Sequence, residues 1–350
     1  MRPDASRGMA IAMRRAQILG VGHHVPDKVV TNEDLAEMMP TTHEWIVQRT
    51  GIEERRFIAE SGTGSSDLAV PACRQAVARA GRDVKDVDAI IFATLSPDVF
   101  FPGSGCYLQA KLGLPGICAL DVRNQCSGFL YGLSIADAWV KSGAYDNVLV
   151  VGAEVHSTGV EFTERGRNVA VLFGDGAGAA LVGVADDEER GILSVRLHAD
   201  GTGAEELWLP APMSRHVPRL TPGMMAEGMH YPQMNGKQVF RWAVEKMPEV
   251  AREVLADVEL GVKDIDLFVP HQANMRINQF VASALEIPED KVVHNIQRYG
   301  NTTAATIPIG LSESWEQGRL DRATVLMSAF GSGFTWAGAV VRFGAIEVTT

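Results

Sequence analysis

The chain has 350 residues, 46% of them apolar, enough for about two domains or one large α/β unit with a sizeable core; a small stapled scaffold is excluded. Thirty-two Lys and Arg against 43 Asp and Glu leave a formal charge of −11, which opposes general attraction to nucleic acid or anionic membrane, so an anionic ligand has to meet a local basic cluster. The four cysteines (Cys73, Cys106, Cys118, Cys126) include no Cys-x-x-Cys and have no His at zinc spacing, which argues against a disulfide framework or structural zinc and for a reduced, cytoplasmic setting.

From the N-terminus, the apolar run Met9 to Met13 is too short for a signal segment or a membrane span. Residues 1–15 are expected to form a disordered tail, with Met9 and Met13 as alternative starts. Beyond it, short β-branched runs alternate with amphipathic helical stretches such as 67–80 and 244–256, the pattern of an α/β protein. The chain also repeats itself. Val84-Lys85-Asp86-Val87-Asp88 before Ala89-Ile90-Ile91 recurs as Val262-Lys263-Asp264-Ile265-Asp266 before Leu267-Phe268-Val269, at an offset of 178. Ile18-Leu19-Gly20-Val21 matches Ile192-Leu193-Ser194-Val195 at 174, and Val148-Leu149-Val150-Val151 matches Val325-Leu326-Met327-Ser328 at 177. Chance accounts for one such match more easily than for three that agree within four residues, so two tightly joined halves are expected, 16–185 and 186–350.

Three of the cysteines, Cys73, Cys106 and Cys118, read as inert packing residues. Cys126 follows the strand-like Leu120-Asp121-Val122 and opens a helical stretch that ends at Gly143. At a strand-to-helix turn, the unpaired N–H groups and the helix dipole favour thiolate and offer donors to an oxyanion. A buried structural cysteine is the competing reading. The helix carries only Asp137 and Lys141 as charges, so burial on nearly all sides is expected. Gly174-Asp175-Gly176-Ala177-Gly178 looks like a phosphate loop but runs into Ala180-Leu181-Val182, which favours a tight turn between strands. In the second half, Leu267-Phe268-Val269 ends at His271, a position where α/β ligand sites gather and where a lone structural His is also common. Asn301 opens a small-residue helix 35 residues after Asp266, while Cys126 lies 38 after Asp88. Duplication therefore puts Asn301 and Cys126 at equivalent places, one per half. Asn301-Thr302-Thr303 also reads as a glycosylation sequon, without a secretory signal to support it.

These residues, with Glu44-Trp45-Ile46-Val47-Gln48-Arg49-Thr50-Gly51, Phe173-Gly174-Asp175-Gly176-Ala177-Gly178-Ala179, His271-Gln272-Ala273-Asn274, Gly300-Asn301-Thr302 and Phe330-Gly331-Ser332-Gly333-Phe334, resemble β-ketoacyl-acyl-carrier-protein synthase III of the thiolase superfamily from about residue 16 onward. The resemblance implies a duplicated thiolase-like α/β fold, layered αβαβα, with two mixed sheets around buried helices. It implies that Cys126 takes an acyl group from acyl-CoA, that the backbone N–H groups of Cys126 and Ser332 hold the oxyanion, and that His271 and Asn301 donate to the enolate formed when malonyl-acyl-carrier protein loses CO₂. No metal or cofactor is implied. For CoA, Trp45 and Arg167 would sandwich adenine, Thr41 and Arg49 would hydrogen-bond the nucleotide, and Asn274 would be a further CoA-binding residue. Arg241 and Arg276 would dock the carrier protein, and Phe101 would cross a homodimer interface to bound the acyl pocket.

The chain departs from the family pattern at Ser332, where Gly is common, and at Asn124-Gln125, where small residues are common. The bulge Leu207-Trp208-Leu209-Pro210-Ala211-Pro212-Met213 and the methionines 224 to 234 carry no fixed match and read as packing, so primer choice stays open. A related ketosynthase of secondary metabolism that joins longer acyl or polyketide chains is the alternative. A Cys-His-Asn hydrolase is a distant one, since the peptidase surroundings of the cysteine are absent.

Overall fold

A computed structural model describes residues 14–187 and 190–346. Nine strands form two sheets: β1 (Ala16–His24), β2 (Ala89–Ala93), β3 (Cys118–Val122), β4 (Asn147–Glu154) and β5 (Gly176–Val184) in one, and β6 (Gly191–Ala199), β7 (Leu267–Pro270), β8 (Thr324–Gly331) and β9 (Thr335–Arg342) in the other. The first sheet has the order β1-β5-β4-β2-β3 and the second β6-β9-β8-β7. In each, the inner pair β4–β2 or β8–β7 is parallel and the outer pairs β1–β5 and β6–β9 are antiparallel. Strand for strand the second sheet repeats the first, except that the counterpart of β3 shrinks to a single parallel bridge between Phe268 and Val292.

The buried strands split their side chains between two faces. After the helix α1 (His43–Thr50) comes α2 (Ser65–Arg79), which Ile90, Phe92, Leu149 and Val151 face, whereas Ala89, Ile91, Val148 and Val150 face the interior, the period of two expected for a sheet covered on both sides. The second sheet does likewise, with Phe268, Leu326 and Val340 under α4 (Gly236–Ala256) and α5 (Met275–Ala284), and Val269, Val325 and Met327 inward. Between the sheets lie α3 (Gly128–Ser142) and α6 (Thr306–Glu316), so the layers run αβαβα. α6 is buried along almost its whole length. α3 departs from expectation, because Asp137 and Lys141, 2.7 Å apart, lie with Ala138 and Trp139 on a face that remains partly open.

Of the expected tail, residues 1–13 lie outside the described residues. Arg14 and Arg15 do not behave as tail: Arg14 pairs with Asp146 at 2.7 Å and the Arg15 carbonyl accepts from the Ala185 N–H. Among the described residues no helix is long and apolar enough to cross a membrane.

Candidate active site

Cys126 sits where β3 gives way to α3. Gln125 adopts a left-handed φ of 44°, the residues 125–127 form a tight 3₁₀ turn, and the helix begins at Gly128. Ser127 ties the turn down: its Oγ bonds the Asn124 carbonyl at 2.9 Å and lies 2.7 Å from Thr335 Oγ1. The backbone N–H groups of Cys126 and Ser332, the pair expected to hold an oxyanion, act on the thiol to favour its ionised form. Their approach depends on Gly331, where a Cβ would stand 2.8 Å from the Cys126 Cβ. Burial, with a smaller contribution from the charge of Glu154, pushes the thiol up to about 12 against these donors. The sulfur therefore rests as a thiol, and the expected thiolate preference does not prevail over burial. Glu154, at the end of β4, is itself wholly buried; its carboxyl is pushed up to about 7 and accepts from Thr94 Oγ1, the Leu95 and Ser96 N–H groups and Ser96 Oγ.

The other cysteines divide differently from expectation. Cys73 is buried in the α2 core, and burial raises its thiol far above the ordinary value. Cys106 is exposed and is no core packing residue, whereas Cys118, half-buried on the edge strand β3, packs against the core between the sheets as expected.

His271 follows β7 and is fixed by its N–H to the Ser328 carbonyl at 2.9 Å. Its Nδ1 lies 2.7 Å from Thr306 Oγ1, its Nε2 has no hydrogen-bond partner, and burial pulls the imidazole down to about 3, so the ring is neutral. Asn301 is clamped between its N–H to the Leu172 carbonyl at 2.8 Å and its carbonyl accepting from the Gly174 N–H at 3.2 Å. A Cβ at Gly174 would come within 2.2 Å of the Tyr299 carbonyl, so the glycine-rich stretch admits the Asn301 segment against its backbone. It differs from the expected tight turn between strands: the short helix Arg167–Ala170 precedes it, and Gly176 to Gly178 already pair within β5. The Thr303 N–H donates to Asn301 Oδ1 at 2.8 Å, which leaves the amide NH₂ free.

Cys126, His271 and Asn301 line one cavity of about 590 Å³, reached past Trp45, Arg49, Lys237 and Arg276; no carboxylate lines it. A second cavity of about 460 Å³ also meets Cys126 and is walled by Phe100, Trp208, Leu209 and Met213, with Arg123, Gln125 and His156 as polar members. The 207–213 bulge thus forms a cavity wall, beyond the packing role expected of it.

The remaining expected positions are met unevenly. Arg167 and Arg49 lie 4.5 and 4.3 Å from the Trp45 ring centroid, so Trp45 and Arg167 are stacked on each other with no room between them for a base. Thr41 does not line the cavity, and its Oγ1 is buried without a partner; Thr42 instead caps the helix His43–Thr50. Asn274 lines the cavity, but its amide is engaged in capping α5 and in bonding the Arg49 carbonyl at 2.9 Å. Arg276 is at the cavity with its guanidinium over Phe240, whereas Arg241 is exposed and outside the lining. Phe101 is 80% exposed and lies outside the second cavity of its own chain, where its neighbour Phe100 stands instead. Sequence reasoning missed Lys237, which is unremarkable among surface lysines, and Thr303 and Thr306, whose hydroxyls meet His156 and His271 on other segments.

Residues 120–201 match the family described as 3-oxoacyl-[acyl-carrier-protein] synthase III, and 255–343 match its C-terminal part. The β-ketoacyl-[acyl-carrier-protein] synthase III of Geobacillus kaustophilus is 44% identical over 330 residues, 94% of this chain and 99% of the relative. The crystal structure of 3-oxoacyl-[acyl-carrier-protein] synthase III from Aquifex aeolicus superposes with a TM-score of 0.85 at 40% identity, covering 94% of this chain and 100% of that one. The priming β-ketosynthase from the R1128 polyketide pathway superposes at 0.87 with 33% identity, covering 97% and 100%. With a duplicated thiolase-like fold and relatives matched along nearly their whole length, the chain belongs to the β-ketoacyl-[acyl-carrier-protein] synthase III family.

Proposed function

We propose that this chain starts fatty acid chains by joining an acyl-CoA primer to malonyl-acyl-carrier protein, giving 3-oxoacyl-acyl-carrier protein, CoA and CO₂. The observation that carries the reading is the meeting of Cys126 from one half with His271 and Asn301 from the other in one cavity, with two N–H groups aimed at the sulfur. Cys126 attacks the primer thioester, and the Cys126 and Ser332 N–H groups stabilise the oxygen that becomes negative. Malonyl-carrier protein then loses CO₂, the enolate oxygen is met by His271 and Asn301, and the carbanion attacks the acyl-enzyme. The malonyl carboxylate supplies the carbanion, so the reaction needs no cofactor or metal.

Trp45 and Arg167 take the adenine by opening their stack, and Arg49, Lys237 and Arg276 meet phosphates, as expected where three cations line a cavity without a carboxylate. Asn274 acts by capping α5, and Arg241 extends the basic face toward the acidic carrier protein. The second cavity holds the acyl chain. The chain works as a cytoplasmic homodimer, a reading supported by the half-exposed edge strand β3 and by exposed Leu120, Phe100 and Phe101 beside it. The similarity to a polyketide priming enzyme favours one second reading, the same chemistry priming a secondary-metabolite chain.

Intact-protein mass measurement after mixing with a panel of acyl-CoAs, with Cys126→Ala alongside, tests the proposal. A covalent acyl adduct on the wild type alone, discharged by malonyl-carrier protein, is expected; no adduct at any chain length refutes it. The primer preferred and the carrier protein accepted separate the two pathway readings.

A further inference from the structure

His271, neutral in its buried site, has one proton to place on two ring nitrogens. Nε2 lies bare at the cavity, while Nδ1 lies 2.7 Å from Thr306 Oγ1. What the ring offers a substrate is therefore decided on its far side. The Thr306 hydroxyl has one hydrogen and two acceptors in reach, Nδ1 and the Thr303 carbonyl at 3.0 Å. With the hydrogen on the carbonyl, Oγ1 accepts from Nδ1–H and Nε2 presents a lone pair. With the hydrogen turned to Nδ1, the ring proton sits on Nε2, which becomes a donor. Turning trades the two bonds Nδ1–H to Oγ1 and Oγ1–H to the Thr303 carbonyl for the single bond Oγ1–H to Nδ1, and the bond given up is regained when Nε2–H meets an enolate oxygen; the Thr303 carbonyl keeps the Thr306 backbone N–H throughout.

We infer that Thr306 is a positioning residue that selects the tautomer of His271, holding Nε2 as an acceptor in the free enzyme and letting it become a donor for condensation. The inference rests on the proposed condensing reaction and gives one neutral ring both of its duties. In acylation the Cys126 S–H proton passes to Nε2 as sulfur bonds the thioester carbon; the carbon–sulfur bond to CoA breaks, and the departing thiolate takes that proton. The ring, neutral again, exchanges its proton with solvent while the cavity is open, and the hydroxyl turns. In condensation the malonyl carboxylate leaves as CO₂, its electron pair forms the enolate, and Nε2–H and the Asn301 amide donate to the enolate oxygen. The new carbon–carbon bond expels the Cys126 sulfur, which regains a proton from solvent. A waiting imidazolium would have to carry its charge in a site that burial makes hostile to it. Thr303 serves both partners, since its carbonyl faces Thr306 and its N–H holds Asn301 Oδ1.

The test reads ring ¹⁵N shifts in the full-length protein, with His271 assigned by loss of its signals in His271→Gln, and measures acylation and condensation separately in Thr306→Ser and Thr306→Val. Expected is a protonated Nδ1 and bare Nε2 in the free wild type and in Thr306→Ser, which stays within about threefold of wild type in both steps. Thr306→Val loses that tautomer and falls about tenfold or more in acylation rate, with KM for acyl-CoA within about twofold. A protonated Nε2 in the free wild type overturns the inference, as does a Thr306→Val that acylates at the wild-type rate or a Thr306→Ser that falls equally far. If Thr306→Val does not fold, the wild-type shifts decide alone. A wild type that forms no acyl adduct removes the condensing reaction, and the shifts still report the tautomer.

Discussion

Gly331→Ala is the most direct probe of how the nucleophile is held. The added methyl would stand 2.8 Å from the Cys126 Cβ, 3.0 Å from its backbone nitrogen and 3.2 Å from its sulfur, and ordinary contact begins at 3.4 Å. The nearest neighbour is the rigid base of the nucleophile, which cannot swing aside as the end of a flexible side chain would. Thr335 of β9 holds both partners, its Oγ1 meeting Ser127 of the turn and its backbone pairing with Gly331. One partner must therefore move by several tenths of an ångström. Overpacking of this kind costs about 1–3 kcal/mol, and misplacing reacting atoms by ~1 Å costs ~100-fold in rate. The expectation is a fall of about tenfold or more in single-turnover acylation, read by intact mass, with a drop of a few degrees in Tm. Gly201→Ala, where a Cβ meets nothing within 4 Å, should leave acylation unchanged. A Gly331→Ala variant that acylates at the wild-type rate would refute the view that this contact sets the sulfur against its two N–H donors.

Glu154→Gln removes the buried charge that helps to raise the Cys126 thiol. Above about pH 7, where the wild-type carboxyl is ionised, iodoacetamide should alkylate Cys126 faster in the variant, and at lower pH the two proteins should converge. Because the carboxyl is raised in the folded state, its contribution to stability declines as pH rises from its unfolded value near 4.5 through about 7; the variant should lack that decline in denaturant titrations. Trp45→Ala should raise KM for acyl-CoA about tenfold while changing turnover of a pantetheine thioester lacking the nucleotide by less than about twofold. Equal loss on both substrates contradicts the adenine assignment. Phe101→Asp should shift sedimentation toward monomer, since it puts a charge on the exposed apolar patch beside β3; an unchanged sedimentation coefficient places the subunit contact elsewhere.

The fold was legible where duplication preserved side chains. The Val-Lys-Asp turns at 84–86 and 262–264 each lead into a buried parallel strand, so the two β–turn units announce one another. The loss of the fifth strand at Val292 was not legible, because a two-residue apolar stretch reads the same whether it pairs once or five times. Cys126 was recognisable as a residue at a strand-to-helix turn, but its protonation was not. That depends on burial beneath Gly331 and on Glu154, which come from β8 and β4. Helix α3 was expected to be deeply buried from its few charges, yet the paired Asp137 and Lys141 keep one face partly open.

The same reasoning explains why Asn301 was easier to nominate than to place. Its side chain is an amide among small residues, singled out by the equivalence with Cys126 and by the Gly300-Asn301-Thr302 motif of the resemblance. Its position is set by what its neighbours lack: Gly174 lets the Tyr299 carbonyl approach to a distance at which any Cβ would collide, and the Leu172 and Gly174 backbones then take both main-chain groups of Asn301. Gly331 does the same for Cys126 on the opposite side. Two segments from different halves thus meet backbone to backbone, and the side chains of Cys126, His271 and Asn301 face one cavity at that seam. A search for reactive groups finds the three residues, whereas the seam that aligns them is written in glycines whose meaning emerges only when the second segment is in place.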